Sequence, residues 1–554
     1  MADAAVVVAG LGPVGGLLAA LLGSRGVRTV VVEPHERPYP KPRAAVLDVE
    51  AIRVLAGLPG MPPLSAWATP LGRNGVVRRG NRPLLLLDLK ATAFGLPQVV
   101  RIDQPVLEAC LREVLAGMPS VTVMTGRSVE GLSQSSDQVT AVLDDGTSLT
   151  SDWLAGCDGA GGRVRELAGI AYEGSTFASP WLVVDADGPA DVGVGGRTDG
   201  VPTVAFVLDP GRPGVAMSQP GRWRWEWMLL PGEDPAAMTR PEAVRALIAP
   251  WTDPDRVTIR RSAVFTFHAR SASRWRAGRV LLAGDAAHLM PPFAGAGLSM
   301  GLRDAAALAW RLMSPADLAT YELERRPDVA RTTRLALAIG RVVQTRNPAV
   351  SAVQRGVFRT LGVLPGFQAM AGDRPMPSRR LPRGSGSVRH EDSLQHDDQL
   401  RGGGLRDAGR MPAGDRSRGF GRLLKKGGRL GSGRLLKRGG RLGRVAKNGG
   451  LPGFGRVLPN PRVSVAGGPP MRLDEVIGYR WAFIGHGCDP SAAAAGRDCV
   501  RLVLDVADPP PGCLAITDLD GLLAGRPGTV TAARPDRFLL YRSLGLEELD
   551  GHLR

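Results

Sequence analysis

Residues 6–16 read VVVAGLGPVGG, a run of small apolar residues that turns abruptly into glycines. The spacing Gly10-x-Gly12-x-x-Gly15 predicts a strand over Ala5 to Ala9, a tight turn, and a helix opened by Pro13 and Val14 and running to about Arg25. A second strand ending Val30-Val31-Val32-Glu33 completes a βαβ unit. In such a unit Gly10 permits the turn, Gly12 lets the backbone approach a pyrophosphate at the helix N-terminus, and Gly15 lets helix and strand pack closely. Glu33 falls about 20 residues on, where a carboxylate accepts hydrogen bonds from a ribose 2′-OH and disfavours a 2′-phosphate. NADP is therefore disfavoured at this turn, and NAD and FAD both remain.

A second stretch separates them. Residues 279–312 read RVLLAGDAAHLMPPFAGAGLSMGLRDAAALAWRL: an apolar strand ending in Gly284-Asp285, a loop with Pro292, and a long amphipathic helix. Asp285 at a strand end can hold a ribityl hydroxyl. The backbone N–H groups of Gly295, Ala296, Gly297 and Leu298, at a helix start, can face a flavin pyrimidine and stabilise negative charge on the reduced ring. Nicotinamide needs no such second site, so the ligand of the opening turn reads as FAD.

Composition bounds the remaining readings. The 554 residues are 44% hydrophobic and 22% charged, as in globular proteins of two to four domains. No run is long and apolar enough to predict a membrane span. The N-terminus carries Asp3 where a signal peptide would have a basic cluster. Five scattered cysteines (Cys110, Cys157, Cys488, Cys499, Cys513) form no C-x-x-C pair and no metal-ligand spacing, which suits a reduced cytoplasm. The net charge of +17 is concentrated: residues 401–450 hold fifteen Lys/Arg against two Asp. That block repeats GRLLKKGGRLGS and GRLLKRGGRLGR, too glycine-rich to bury a core. It reads as a flexible basic insertion, with nucleic-acid or membrane contact the less favoured alternative.

Texture divides the chain into an α/β region over 1–180, a strand-rich region over 181–275, a return of α/β and helical texture over 276–375, a linker with the basic insertion over 376–455, and a small α/β region over 456–554. Within the second, RWRWEWMLL (222–230) puts Trp223, Trp225 and Trp227 on one face of a strand and Arg224, Glu226 and Met228 on the other. The tryptophans either roof a pocket or pack a core.

Several stretches together resemble one family, the class A flavoprotein aromatic monooxygenases, with the texture of 3-(3-hydroxyphenyl)propionate hydroxylases and aromatic polyketide hydroxylases. They are PKPRAAVLDVEAIRVL (40–55), VVRIDQPVLEACL (99–111), LAGCDGAGGRVRELAGI (154–170), RWEWMLLPGE (224–233), FTFHARSASRWRAGRVLLAGDAAHLMPPFAG (265–295) and YELERRPDV (321–329). The resemblance implies a Rossmann-like (GR2-type) FAD-binding domain, an inserted β-sheet substrate domain and a C-terminal thioredoxin-like domain. It implies that Arg43, Arg101 and Gln104 contact the flavin, that Asp158 and Gly159 touch FAD and NAD(P)H together, that Asp285 holds the ribityl chain, and that His288 is structural. The competing reading of Asp103-Gln104 is an N-terminal helix cap.

The implied reaction is hydroxylation of a small phenolic aromatic substrate with O2 and NADH or NADPH, through a C4a-hydroperoxyflavin. A polyketide or antibiotic tailoring hydroxylase or epoxidase on the same fold is the alternative, and a homodimer is compatible with either. Departures from the family pattern are Gly161-Gly162 where Arg-Ser is usual, and Leu298-Ser299-Met300 where the loop is usually more polar. Lacking C-x-x-C, the C-terminal domain is expected to have no dithiol redox role.

Overall fold

The computed structural model describes residues 2–367, apart from 39, 41–43, 79–81, 90, 189–202, 220, 316–317 and 365, and residues 456–545, apart from 495–497 and 538. Arg43 and the linker 376–455 with its basic insertion lie outside the described residues.

The opening stretch folds as β1 (Ala4–Ala9), α1 (Pro13–Gly23) and β2 (Thr29–Glu33), with β1 and β2 parallel. The valine-rich strands are buried on both faces, as a parallel sheet covered by helices requires. Helix α2 (Val49–Ala56) starts with Asp48, whose side chain accepts the Ala51 N–H. Helix α3 (Gln104–Ala116) packs beside α1. The long strand β3 (Ser148–Gly156) pairs parallel with β1 and, on its other side, with both the antiparallel strand Val139–Leu143 and the later strand Val280–Leu282. The chain thus returns to this sheet after a long excursion.

A second sheet of seven strands is built from two separate stretches, 73–88, which precedes β3, and 181–265, within that excursion. Its strands β4 (Trp181–Asp187), β5 (Gly214–Gln219) and β6 (Arg222–Met228) run antiparallel, with β6 between the other two. Trp223, Trp225 and Trp227 stack at 5.7 and 6.1 Å between ring centroids. They pack with Leu182, Val184 and Ala216 against helix α4 (Pro241–Ile248) and Trp251, so of the two readings of this strand, core packing holds. The edge strand β7 (Thr258–Phe265) pairs with β4.

Helices α5 (Gly297–Met313), α6 (Thr320–Val343) and α7 (Pro348–Val363) follow. Pro327 lies inside α6, and Pro348 takes the first-turn position of α7, where no N–H is lost. The C-terminal region is a seven-stranded mixed sheet. Its strands Trp481–His486, Cys499–Leu504 and Leu514–Asp518 are parallel neighbours, and Thr529–Ala533 and Leu539–Gly545 join antiparallel. Among its described residues the one helix is the short Leu473–Ile477, so the two parallel crossovers carry turns where helices are usual.

Candidate functional site

Two bare helix N-termini define the site. Gly12 is the N-cap of α1, with no side-chain cap and no acid in the first turn, so its leading N–H groups carry uncompensated positive character. A Cβ on Gly10, whose φ is +98°, would run into the Cys157 carbonyl, and one on Gly15 would overlap the Gly10 carbonyl. A Cβ on Gly12 would meet nothing within 4 Å. The turn is closed where it packs and open where a pyrophosphate would approach. Glu33 stands beside it at the end of β2: Leu11 N–H donates to Oε2 at 2.8 Å and His35 N–H to Oε1 at 3.0 Å, fixing the carboxylate for a ribose.

Val14 links this turn to the second stretch. A Cβ on Gly284 (φ +63°) would lie 3.0 Å from Val14 Cγ2, and one on Gly301 would lie 2.7 Å from the same methyl. The first turn of α1, the end of the strand Val280–Leu282 and the second turn of α5 therefore meet where no extra methyl fits. Asp285 follows at once, exposed, with its carbonyl accepting the Tyr172 hydroxyl at 2.9 Å. Exposed Pro292 leads to Gly295 (φ +58°), which presses on Val46. Helix α5 then starts at Ala296, Gly297 and Leu298, again with no side-chain cap and no acid in its first turn.

A buried charge cluster holds this loop from behind. Asp304 on α5 accepts the Gly284 N–H at 3.2 Å, pairs with His288 Nε2 at 2.6 Å and accepts Arg325 Nε at 2.9 Å. Burial would raise its pKa, but His288 and Arg325 outweigh it and hold the carboxyl below the ordinary aspartate range. His288 is thus a buried structural partner. Asp304 was not singled out by sequence; the i, i+20 relation to Gly284 becomes a contact only through the fold.

The remaining expected residues lie on neighbouring elements. Arg101 lies on the strand Val99–Ile102 opposite Val46, and burial lowers its pKa. Gln104 Oε1 accepts the Ala44 N–H at 2.9 Å, and its Nε2 donates to Glu108 Oε1 at 2.8 Å. Asp103 is the N-cap of α3 by position, yet its side chain makes no cap bond; it pairs instead with Arg222 on β6. Asp158 Oδ2 accepts the Val164 N–H at 2.9 Å, while Oδ1 is buried with no hydrogen bond among the described residues. Burial raises the Asp158 pKa. A Cβ on Gly162 would overlap that carboxyl, which gives the Gly161-Gly162 departure a physical reason.

The other face of the second sheet meets the loop before Gly295. Trp181, Met228 and Val215 pack on Phe293, two residues before Gly295, and the Trp181 and Phe293 rings meet edge-on at 5.3 Å. Phe177 and Phe267 complete the aromatic group. Farther along β6 on the same face are buried Glu226 and Arg224, the latter bound to Asp185 at 2.6 Å. Alternating charges between tryptophans in a strand buried on both faces were the signal for these two residues.

These residues fit FAD: two uncapped helix starts, one at an open glycine turn with Glu33 beside it and one beside Asp285, joined by a contact too close for a methyl. A family model described as "FAD binding domain" matches residues 3–336, and one described as "HcaD C-terminal domain" matches 455–548. Fold and site together define an FAD-binding protein. A 3-(3-hydroxy-phenyl)propionate/3-hydroxycinnamic acid hydroxylase of Paraburkholderia xenovorans is 33% identical over 97% of this chain and 88% of its own length. Among solved structures, the flavin-dependent monooxygenase PieE in complex with FAD and substrate superposes with a TM-score of 0.72 at 20% identity, covering 99% of this chain and 98% of that one. A ternary complex of aklavinone-11 hydroxylase with FAD and aklavinone gives 0.67 at 21%, covering 100% and 99%. The chain belongs to the FAD-dependent aromatic monooxygenases, the hydroxylases that use FAD with reduced nicotinamide and O2 on a phenolic ring.

Proposed function

We propose that the protein hydroxylates a small phenol carrying an acidic side chain, with 3-(3-hydroxyphenyl)propionate the first compound to try. The observation that carries this reading is the aromatic face of the second sheet, Trp181 and Phe293 at 5.3 Å, standing directly before the Gly295–Gly297 loop. Bound FAD supplies the two-electron reduction by NADH or NADPH and the activation of O2. The chain's own residues bind, orient and exclude water.

In this reading Gly12, Pro13, Val14 and Gly15 cradle the pyrophosphate, Glu33 receives the ribose, and Asp285 the ribityl chain. Gly10 and Gly284 shape the turns, while Arg101, Gln104 and Asp158 border the ring. The N–H groups of Gly295, Ala296, Gly297 and Leu298 face the pyrimidine edge, and Pro292 shapes that loop. Arg43 belongs to the same set by sequence. The assigned regions are 1–180 and 276–375 for the flavin, 181–275 for most of the substrate sheet, 376–455 as linker and 456–554 as an accessory domain.

Among the described residues no helix is long and apolar enough to cross a membrane. Five free thiols favour a cytoplasmic setting. Helix α7 exposes Val350, Val353 and Val357 along one stripe, which a second copy of the chain would cover; light scattering at two concentrations tests the dimer. The function itself is tested by flavin content, then NADH and NADPH oxidation with a phenol panel and product mass. A colourless protein refutes the cofactor reading; oxidation without a product heavier by one oxygen atom refutes hydroxylation.

A further inference from the structure

We propose that Glu226 is the group that takes the proton from the phenolic hydroxyl of the substrate; this rests on the phenol-hydroxylation reading above. The sequence named no such base. Glu226 sits in the middle of β6, and the two ends of that strand contact two of the elements that carry the expected flavin residues. At one end Arg222 pairs with Asp103, next to Gln104; at the other Met228 packs with Trp181 and Phe293, just before Gly295. Glu226 points to the same side as both, because side chains alternate along a strand. Its cross-strand neighbours are Val183 on β4 and Val215 on β5, both apolar.

Glu226 as a whole is 7% exposed, and its carboxyl makes no hydrogen bond among the described residues, although Arg224 and Arg261 are near enough to act on it. Desolvation raises its pKa above the usual glutamate range; Asp185 adds to this, and the two arginines oppose it. An unbonded buried carboxyl in a cleft costs stability and is a functional candidate on physical grounds.

The charges around it suit the transfer. Among the described residues the charged groups nearest it on this face are Asp185, Arg224 and Arg261, then the pairs Arg222–Asp103 and Arg260–Asp187. With Glu226 ionised, Asp185 and Glu226 balance Arg224 and Arg261. When the phenolic O–H breaks, its proton goes to a Glu226 oxygen and the electron pair stays on the phenol oxygen. The negative charge has only moved, so the cluster and the phenolate together remain balanced. A neutral phenol is a weak ring nucleophile near neutral pH, since its pKa is near 10; a base with a raised pKa is matched to that task.

The test uses the FAD-loaded protein and a nitrophenol whose phenolate absorbs in the visible, read by difference spectroscopy. The wild type is expected to hold the probe ionised at least about one pH unit below its titration in buffer, a tenfold effect. Glu226→Gln, close in volume, leaves Arg224 and Arg261 against Asp185 alone, so a probe that ionises there must give its proton to solvent: with a pH indicator in weak buffer, one proton should be released per phenolate formed, against none in the wild type. It should also lower kcat with the enzyme's own phenol by on the order of a hundredfold, with KM changed far less. Glu226→Asp should recover part of kcat and move the acid limb of the pH–rate profile, which serves as the readout if Glu226→Gln does not fold. Equal proton release per bound phenolate in wild type and Glu226→Gln, or an acid limb that Glu226→Asp leaves unmoved, overturns the proposal. If the wild type oxygenates no phenol at all, the failure belongs to the hydroxylase reading instead.

Discussion

Removing one guanidinium, that of Arg53, should loosen the C-terminal domain from the flavin domain. Arg53 on α2 reaches across to Asp474 with two bonds, Nε to Oδ2 at 2.5 Å and Nη2 to Oδ1 at 2.7 Å, and donates from Nη1 to the Leu458 carbonyl at 2.6 Å. Asp474 also receives Arg537 Nε at 2.7 Å, and all three side chains are buried. A neighbouring cleft is lined by further charges, including Glu50, Arg303, Glu324 and Arg534, so this seam is charged along its length. Breaking a buried pair from one side typically costs about 3–5 kcal/mol, because the stranded partner keeps its desolvation penalty. Arg537 still serves Asp474, which places Arg53→Met near the lower end, about 3 kcal/mol. Asp474→Leu strands two arginines and should cost more. Chemical denaturation followed by flavin fluorescence and by hydrogen exchange of residues 456–545 reads both effects; exchange in the C-terminal domain should rise first. A loss below about 1 kcal/mol for Arg53→Met, with unchanged exchange, would refute the reasoning. The same seam should fail in acid. Burial raises the Asp474 pKa, but Arg53 and Arg537 win and hold it below the ordinary value, so its contribution is full above about pH 3.9 and is lost as pH falls further.

Other outcomes follow from the site. Gly12→Ala adds a methyl to open space at an allowed φ of −68°, so apoprotein stability should change by less than about 0.5 kcal/mol while the flavin-to-protein absorbance ratio drops sharply. Gly15→Ala should instead cost fold stability, by thermal melting, because its methyl overlaps the Gly10 carbonyl. Asp304→Asn weakens support of Gly284, His288 and Arg325 together; a loss of about 3 kcal/mol with weaker flavin retention is expected, and unchanged retention would detach this cluster from the cofactor. Glu226→Gln should raise stability at neutral pH. The sign follows from the raised pKa: ionisation of the buried acid costs stability above the ordinary glutamate range, so the gain must shrink toward zero as pH falls through it, as urea midpoints at several pH values would read.

The flavin half of the molecule was legible because its signals are local. Gly10, Gly12, Gly15 and Glu33 lie within one βαβ unit, and Gly284-Asp285 ends a strand whose apolar run is continuous in sequence. What joins the two halves was not legible. Val14 between Gly284 and Gly301, and Asp304 beneath the Gly284 turn, depend on how α1 and α5 cross. The substrate sheet was half legible: period-two alternation correctly put the three tryptophans on one face, but it does not state which face meets solvent, helix or cleft. That was decided by α4 covering the tryptophans, leaving Arg224 and Glu226 toward the cleft. The domain seam had no sequence signal, since Arg53 and Asp474 are over four hundred residues apart and each resembles an ordinary surface charge.

The tryptophan row on β6 also has an optical consequence. Three indoles held nearly parallel in a stack, at interplanar angles of 14° and 3°, cannot absorb as independent rings. Their excited states should mix, leaving an exciton couplet in the ultraviolet circular dichroism whose sign and amplitude follow the strand's twist. Substituting the middle ring, Trp225→Phe, should abolish most of that couplet while the outer two indoles remain, turning the core side of the substrate sheet into its own strain gauge.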